Sequence, residues 1–146
     1  MKISEIKVSY HPVIPPVDRH KVTSSSAAFE YLKSIWNDQL NWKETFYILY
    51  LDRKNSIIGY HLHSIGSDTG TLVSSKQVLS VALKCNACGI ILAHNHPSGN
   101  LKPSQADLNI SRKIKKGGEV LDVEILDHII ICQGDSYYSM SDAGEL

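Results

Sequence analysis

The sequence predicts a single α/β domain, and three observations favour this fold class. Residues 88–93 form a short apolar run, which is typical of a buried strand and too short to span a membrane. Segments with helical or strand periodicity stand on both sides of it. The 146 residues, 42% hydrophobic and 21% charged, match the composition of a globular protein with room for one core.

The first predicted elements are a helix and a hairpin. Residues 24–26 are all serine, the preferred residue type at a helix N-cap. They precede apolar residues with helical spacing, namely Phe29, Leu32, Ile35 and Trp36. Residues 44–51 and 56–65 read as strands joined by the turn-like residues 52–55. Before them we expect residues 1–23 to form a short strand and a proline-bearing linker.

A second helix and two closing strands are predicted on either side of the central strand. The second helix covers residues 74–86, with Ser74 and Gln77 as a capping box. Residues 123–132 and 136–140 read as closing strands around a turn that contains Gly134.

A third helix is predicted to begin at Ser104 and to end at Gly117 and Gly118. The one basic cluster, residues 112–116, then falls at its C-terminal end, where cations are favoured by the helix dipole. A formal net charge of zero argues against a surface devoted to phosphate backbones, although DNA binding stays open as an alternative.

The end of the central strand carries the strongest chemical signal. In an extended chain His94 and His96 point to the same face while Asn95 points to the other, so both imidazoles can approach one ion. Asp107 follows in the first turn of the helix capped by Ser104, where a carboxylate stays ionised. Two imidazoles and one carboxylate form the protein ligand set of a catalytic zinc site. We therefore expect His94, His96 and Asp107 to bind Zn²⁺.

Structural alternatives exist for each of these residues and for similar patterns elsewhere. A His-x-His pair alone is weak evidence, and Ser104 with Asp107 can be a capping pair only. His61 and His63 repeat the pattern without a later helix-borne carboxylate, and Asp68 lies in a glycine-rich loop. A strand face, with a substrate-groove contact as the alternative, is the better interpretation of that second pair.

The cysteines suggest a buried role rather than a second metal site. Cys85 and Cys88 form a Cys-x-x-Cys pair at the end of a predicted helix and the start of the central strand, and only Cys132 remains to join them. A structural zinc site normally needs four ligands, so we expect small buried hydrophobic residues. Few cysteines and no apolar secretory segment at the N-terminus indicate a cytoplasmic protein.

The stretch ILAHNHPSGNLKPSQAD, residues 91–107, resembles the JAMM motif of the JAB/MPN metallopeptidase superfamily and is most similar to the RadC family. Residues 126–130, Leu-Asp-His-Ile-Ile, are similar to that family too. Asn95 departs from the Ser or Thr of deubiquitinating members and is what RadC-like chains carry. The resemblance covers roughly residues 24–146 and implies a JAB-type domain, with a mixed β-sheet flanked by helices in the cytidine-deaminase-like layered fold. Longer RadC-like chains carry a helix-hairpin-helix module ahead of this core, for which we see no room.

The resemblance also implies a reaction, the hydrolysis of an amide bond by a zinc metallopeptidase or isopeptidase. It assigns Glu44, at the start of the first strand, as the general base, a choice that spacing alone does not make over Glu30. Ser104 is then expected to stabilise the oxyanion, and Asp127 or His128 to lie near the site or its groove. The expected partner is a protein or peptide substrate. Two alternatives stay open: a DNA-repair or mobile-element accessory, and a metal-stabilised binding module without turnover.

Overall fold

The computed structural model describes residues 3–36, 40–66 and 72–146, which form three α-helices around one β-sheet. The elements in chain order are α1 (Ser25–Ile35), β1 (Thr45–Leu51), β2 (Ile57–Ile65), α2 (Ser75–Lys84), β3 (Gly89–Asn95), α3 (Gln105–Val120), β4 (Glu124–Ile131) and β5 (Tyr137–Ser139). The sheet order is β2-β1-β3-β4-β5, with β3 and β4 parallel and the other pairs antiparallel. This architecture confirms the predicted mixed α/β class.

The central strands β1 and β3 are buried along their whole length because helices cover both faces of the sheet. Successive side chains of a strand point to opposite faces, so each strand serves two cores. One core packs α1 against Tyr47, Leu49, Ile91 and Ala93. The other packs α2 and α3 against Phe46, Ile48, Ile90 and Leu92. By the same alternation His94 falls on the α2/α3 face and Asn95 on the α1 face.

Strand pairing brings three distant segments to one edge of the sheet. Phe46 of β1 pairs with His94 of β3, so Glu44, two residues earlier, lies beside the end of β3. The chain leaves β3, crosses through α3 and returns as the parallel strand β4, in which Ile130 pairs with His94. Such a crossover places the beginning of α3 beyond the end of β3. The end of β3, the start of α3 and the segment before β1 therefore meet at this edge of the sheet.

Serines cap all three helices as the sequence predicts. The Oγ atoms of Ser24, Ser74 and Ser104 accept hydrogen bonds from backbone amides three residues further on. The capping box expected at α2 is only half formed, because the Ser74 amide donates to Nε2 of His63 at 3.1 Å rather than to Gln77. A histidine of the neighbouring strand thus completes this cap.

The prediction that Gly117 and Gly118 end the third helix is wrong. α3 continues to Val120, and the amide of Val123 then donates to the carbonyl of Gly118 at 2.9 Å. Asp122, with φ 55°, adopts the left-handed conformation that a glycine more often supplies after a helix. A Cβ on Gly118 would lie 2.3 Å from the Val123 carbonyl oxygen, so this glycine permits close packing of the returning chain. The basic residues 112–116 consequently lie in the middle of the helix, and no basic residue occupies its last turn.

The segment before α1 also differs from the expectation. Residues 3–24 contain a short 3-10 helix, Pro16–Asp18, and one isolated bridge between Lys21 and Ser56, and no strand is formed among them. Their side chains are almost all exposed, so they lack the apolar burial that stabilises a strand pairing. No helix within the described ranges is long and apolar enough to cross a membrane.

Candidate metal centre

His94, His96 and Asp107 converge at the end of β3 and the start of α3. Nε2 of His94 lies 2.9 Å from Nε2 of His96 and 3.3 Å from Oδ1 of Asp107, and Nε2 of His96 lies 3.4 Å from Oδ2. A tetrahedral zinc site with bonds of about 2.0–2.1 Å has edges of about 3.3 Å. The spacing of the two imidazole nitrogens and the two carboxylate oxygens therefore fits a zinc-sized ion, and no other such group occurs in the described part of the chain.

The hydrogen bond of His96 leaves its metal-facing nitrogen free. Nδ1 of His96 lies 2.6 Å from the backbone oxygen of Asn100, which can only accept a hydrogen bond. Nδ1 must then carry the proton, and Nε2 presents a lone pair toward His94 and Asp107. The turn at residues 97–100, closed by the Gly99 amide on the His96 carbonyl, holds this acceptor in place.

A chain of buried hydrogen bonds likewise leaves Nε2 of His94 free. Its Nδ1 lies 2.7 Å from Nε2 of His128, whose Nδ1 lies 2.5 Å from the hydroxyl of Ser111. That hydroxyl donates to the backbone oxygen of Asp107 at 2.7 Å, so its own oxygen accepts from His128. With the hydroxyl hydrogen on the Asp107 carbonyl, Nδ1 of His128 carries the proton, its Nε2 accepts from Nδ1 of His94, and Nε2 of His94 stays free. Burial lowers the pKa of His128 well below its usual value, which favours that neutral ring.

Asp107 serves both as a helix cap and as the anionic member of the cluster. Its Oδ2 accepts from the Ser104 amide at 2.7 Å, which closes the capping box that the sequence predicts. Burial alone would raise its pKa, but the contacts with the His94 and His96 rings and the hydrogen bond from the Ser104 amide hold that pKa far below its usual range. Asp107 in turn raises the pKa of His96. Two imidazole lone pairs facing one carboxylate create a site that is complementary to a cation.

His96, one of the three residues, lines a cleft of about 760 Å³. Residues from three segments line it: Trp42, Glu44, His96, Pro97, Pro103 and Ser104. Glu44 is half-buried in its wall, whereas Glu30, the other glutamate considered from the sequence, is exposed on α1 outside this cleft. Glu44 is thus the one of the two that lies in the same cleft as His96.

Comparison with known proteins decides the family. Residues 22–145 match the RadC-like JAB domain over most of the chain. The chain belongs to the RadC-like JAB family. Relatives include a UPF0758 protein of Flavobacterium johnsoniae, 45% identical over 85% of this chain and 53% of its own length, and one of Aquifex aeolicus, 37% identical over 88% and 54%. A UPF0758 protein of Chlorobaculum tepidum is 37% identical over 84% and 54%. The chain spans about half the length of these curated relatives.

Adjacent residues Asp127 and His128 take opposite sides of the RadC-like sheet, as strand alternation requires. His128 points toward His94 and the candidate metal site. Asp127 points away and accepts hydrogen bonds from the hydroxyl of Ser139 at 2.7 Å and the amide of Ser141 at 3.1 Å, which fixes the turn after β5. Asp127 therefore stabilises this turn, and the sequence contains no pattern that predicts these contacts.

The second His-x-His pair gathers no carboxylate from the described residues of this RadC-like domain. His63 is engaged by the α2 cap and by an edge contact with the Phe46 ring, while His61 is exposed on the edge strand β2. Asp68 lies outside the described residues. The three cysteines are free thiols; Cys132 is buried, whereas Cys85 and Cys88, for which a buried role is predicted, are only half-buried. Burial raises the pKa of Cys85 and of Cys132.

Proposed function

We propose that this RadC-like domain is a zinc-dependent hydrolase that cleaves an amide bond in a protein or peptide, as a metallopeptidase or isopeptidase. The observation that carries the proposal is the three-donor group of His94, His96 and Asp107, whose His96 lines a cleft together with Glu44 and Ser104. Three protein ligands with one side open is the arrangement of catalytic zinc sites, whereas structural sites are closed by a fourth protein ligand.

The donor set supports zinc as the ion. Two imidazoles with fixed tautomers and one ionised carboxylate suit Zn²⁺, although related sites accept iron, cobalt or nickel. When bound, such an ion lowers the pKa of water from about 15.7 toward about 7 and polarises a carbonyl oxygen. His94, His96 and Asp107 would hold it.

Glu44 and Ser104 supply the proton transfer and the oxyanion contact in this proposal. Glu44 takes a proton from the attacking water and delivers it to the leaving amine. The Ser104 oxygen accepts the Asp107 amide at 3.1 Å, a bond that uses a lone pair and leaves the hydroxyl hydrogen free. That hydrogen donates to the carbonyl oxygen as negative charge develops on it.

Matched glutamate variants test the proposal. Glu44→Gln is expected to retain the metal and to lose hydrolysis of a quenched-fluorescence peptide library and of an isopeptide-linked substrate, whereas His94→Ala loses both. Glu30→Gln, an exposed glutamate on α1, serves as the control and should match the wild type. Equal turnover in wild type and Glu44→Gln at equal metal content would remove Glu44 from the mechanism. A metal-loaded wild type without any turnover would favour the metal-stabilised binding module.

One observation favours a second candidate, a DNA-repair or mobile-element accessory. Arg112, Lys113 and Lys116 are exposed on one stripe in the middle of α3, away from the helix end where the dipole would account for them. Such a stripe is able to contact phosphates. Binding of duplex DNA that weakens with added salt, and weakens further when these three residues are changed to alanine, would support this function.

A further inference from the structure

We propose that Asn95, between His94 and His96, is a positioning residue that fixes the position of Glu44 relative to the candidate metal site. The inference rests on the proposed function, because it concerns the residue that acts there as general base. It is carried by three hydrogen bonds, one buried and two partly buried, that join the end of β3 to the segment before β1.

Every polar atom of the Asn95 side chain is engaged. Its amide nitrogen donates to the backbone oxygens of Leu40 at 2.6 Å and Lys43 at 2.9 Å, and its oxygen accepts from the Thr45 amide at 2.7 Å. The side chain is fully buried, and Thr45 is fully buried too. A buried amide with all its partners is an expensive group to displace, since each broken bond leaves a desolvated backbone group.

These bonds enclose Glu44 on both sides. The carbonyl of Lys43 and the amide of Thr45 belong to the residues immediately before and after it, and its own carbonyl accepts from the Gly66 amide at 2.8 Å. Backbone rotation at Glu44 is thus restricted from both ends by a side chain whose neighbours in sequence are the ligands His94 and His96. The cluster and the glutamate share one rigid element, and a small error in such placement is costly for catalysis.

Asparagine is the residue type that this connection needs. It supplies two donor hydrogens and an acceptor in one plane, whereas Ser is shorter and has one hydrogen, and Asp has the same shape without a donor. In Asn95→Asp a carboxylate would face two carbonyl oxygens. In Asn95→Ser the space freed is small and polar, so water can enter and the fold has the better prospect of surviving.

The test reads the loop position without using activity. The chain has two tryptophans, and Trp42 lies two residues before Glu44 at the mouth of the cleft, whereas Trp36 packs on the Tyr47 ring on the α1 face. In Co²⁺-loaded, ¹⁵N-tryptophan-labelled protein, the paramagnetic shift of each indole N–H reports its position relative to the ion. Asn95→Ser and Asn95→Asp should change the Trp42 shift by more than half and broaden it, with the Trp36 shift and the Co²⁺ affinity preserved within about threefold. Asn109→Ser, an exposed asparagine on α3, is the control.

A fall in melting temperature with both indole shifts unchanged would overturn the proposal, because it would mark Asn95 as a purely structural residue. If wild-type protein binds no Co²⁺, the proposed metal function fails, and hydrogen exchange of the Thr45 amide then decides the role of Asn95 separately. Faster exchange at Thr45 in Asn95→Ser, without a matching increase in the α1 amides, supports the positioning role. Equal exchange overturns it.

Discussion

His128 Nε2 lies 2.7 Å from Nδ1 of His94, the ring nitrogen that faces away from Asp107. Residues hydrogen-bonded behind a metal ligand fix its tautomer and orientation, and their loss typically costs about 10–100-fold in metal affinity. His128→Phe preserves a buried ring and removes both hydrogen bonds. We expect it to weaken zinc binding by about 10–100-fold in a chelator competition. His61→Phe, at an exposed position, should bind zinc as the wild type does. Equal zinc affinities in wild type, His128→Phe and His61→Phe would contradict the role of the hydrogen bond between His94 and His128.

Ser104 and Ser74 make the same cap contact at different helices, and this separates stability from catalysis. Their hydroxyl oxygens accept amides at 3.1 Å and 3.3 Å, but only Ser104 lines the cleft. Each change to alanine should lower the free energy of unfolding by about 1 kcal/mol. Ser104→Ala should also lower kcat by about 10²–10³, the usual effect of losing an oxyanion donor. Urea titrations and rate measurements on both variants check this, and equal rates would reduce Ser104 to a cap.

Asp52 closes the β1–β2 turn and contributes a pH-dependent part of the stability. Burial raises its pKa, but the Ser56 and Lys54 amides and the Arg19 guanidinium outweigh burial and hold that pKa below the usual range. The stabilisation is therefore complete above the unfolded pKa of about 3.9 and is lost as pH falls through the folded value. Asp52→Asn retains an acceptor and removes the charge, at a cost of about 1 kcal/mol at neutral pH.

Urea unfolding of wild type and Asp52→Asn at neutral and acidic pH tests this sign. The difference between the two proteins should narrow as pH falls below about 4. Asp18→Asn, at an exposed position, should stay within about 0.5 kcal/mol of wild type throughout. A difference that widens in acid would show that Asp52 acts in the opposite direction.

Gly117 and Gly118 are neighbours in α3 with different surroundings. A Cβ on Gly118 would meet the Val123 carbonyl oxygen at 2.3 Å, while one on Gly117 would meet only the end of the Leu79 side chain at 2.6 Å. Backbone cannot yield as a side chain can, so Gly118→Ala should lower stability by about 1–3 kcal/mol. Gly117→Ala also gains helix propensity and should change stability by less than about 1 kcal/mol. Thermal unfolding of both variants measures the contrast, and similar losses would refute it.

The sequence predicts helix starts and strand positions better than it predicts helix ends. Ser24, Ser74 and Ser104 carry local cap chemistry that operates within one turn, and each caps as expected. The end of α3 depends on how closely the chain returns beside Gly118, a tertiary contact that a Gly-Gly pattern does not encode. Residues 3–24 likewise form no strand, because strand formation depends on a partner strand, and the local sequence pattern does not show whether one is present.

The candidate site divides in the same way. His94, His96 and Asp107 are predictable because strand alternation and the first helical turn place them within a short stretch of sequence. Asn100 contacts His96 through its backbone oxygen, and Ser111 contacts His128 through its hydroxyl. Neither contact produces a recognisable sequence pattern. The bonds of Asn95 to residues some fifty positions earlier become visible only when β1 pairs with β3.

Metal content decides whether His94, His96 and Asp107 form a zinc site. Purified wild type, His96→Ala and Glu44→Gln are incubated with Zn²⁺, desalted and measured by elemental analysis at matched protein concentration. We expect near-stoichiometric zinc in wild type and Glu44→Gln and none above background in His96→Ala. Zinc absent from all three, or equally present in His96→Ala, would contradict the three-ligand site and leave a JAB-type domain without the proposed chemistry.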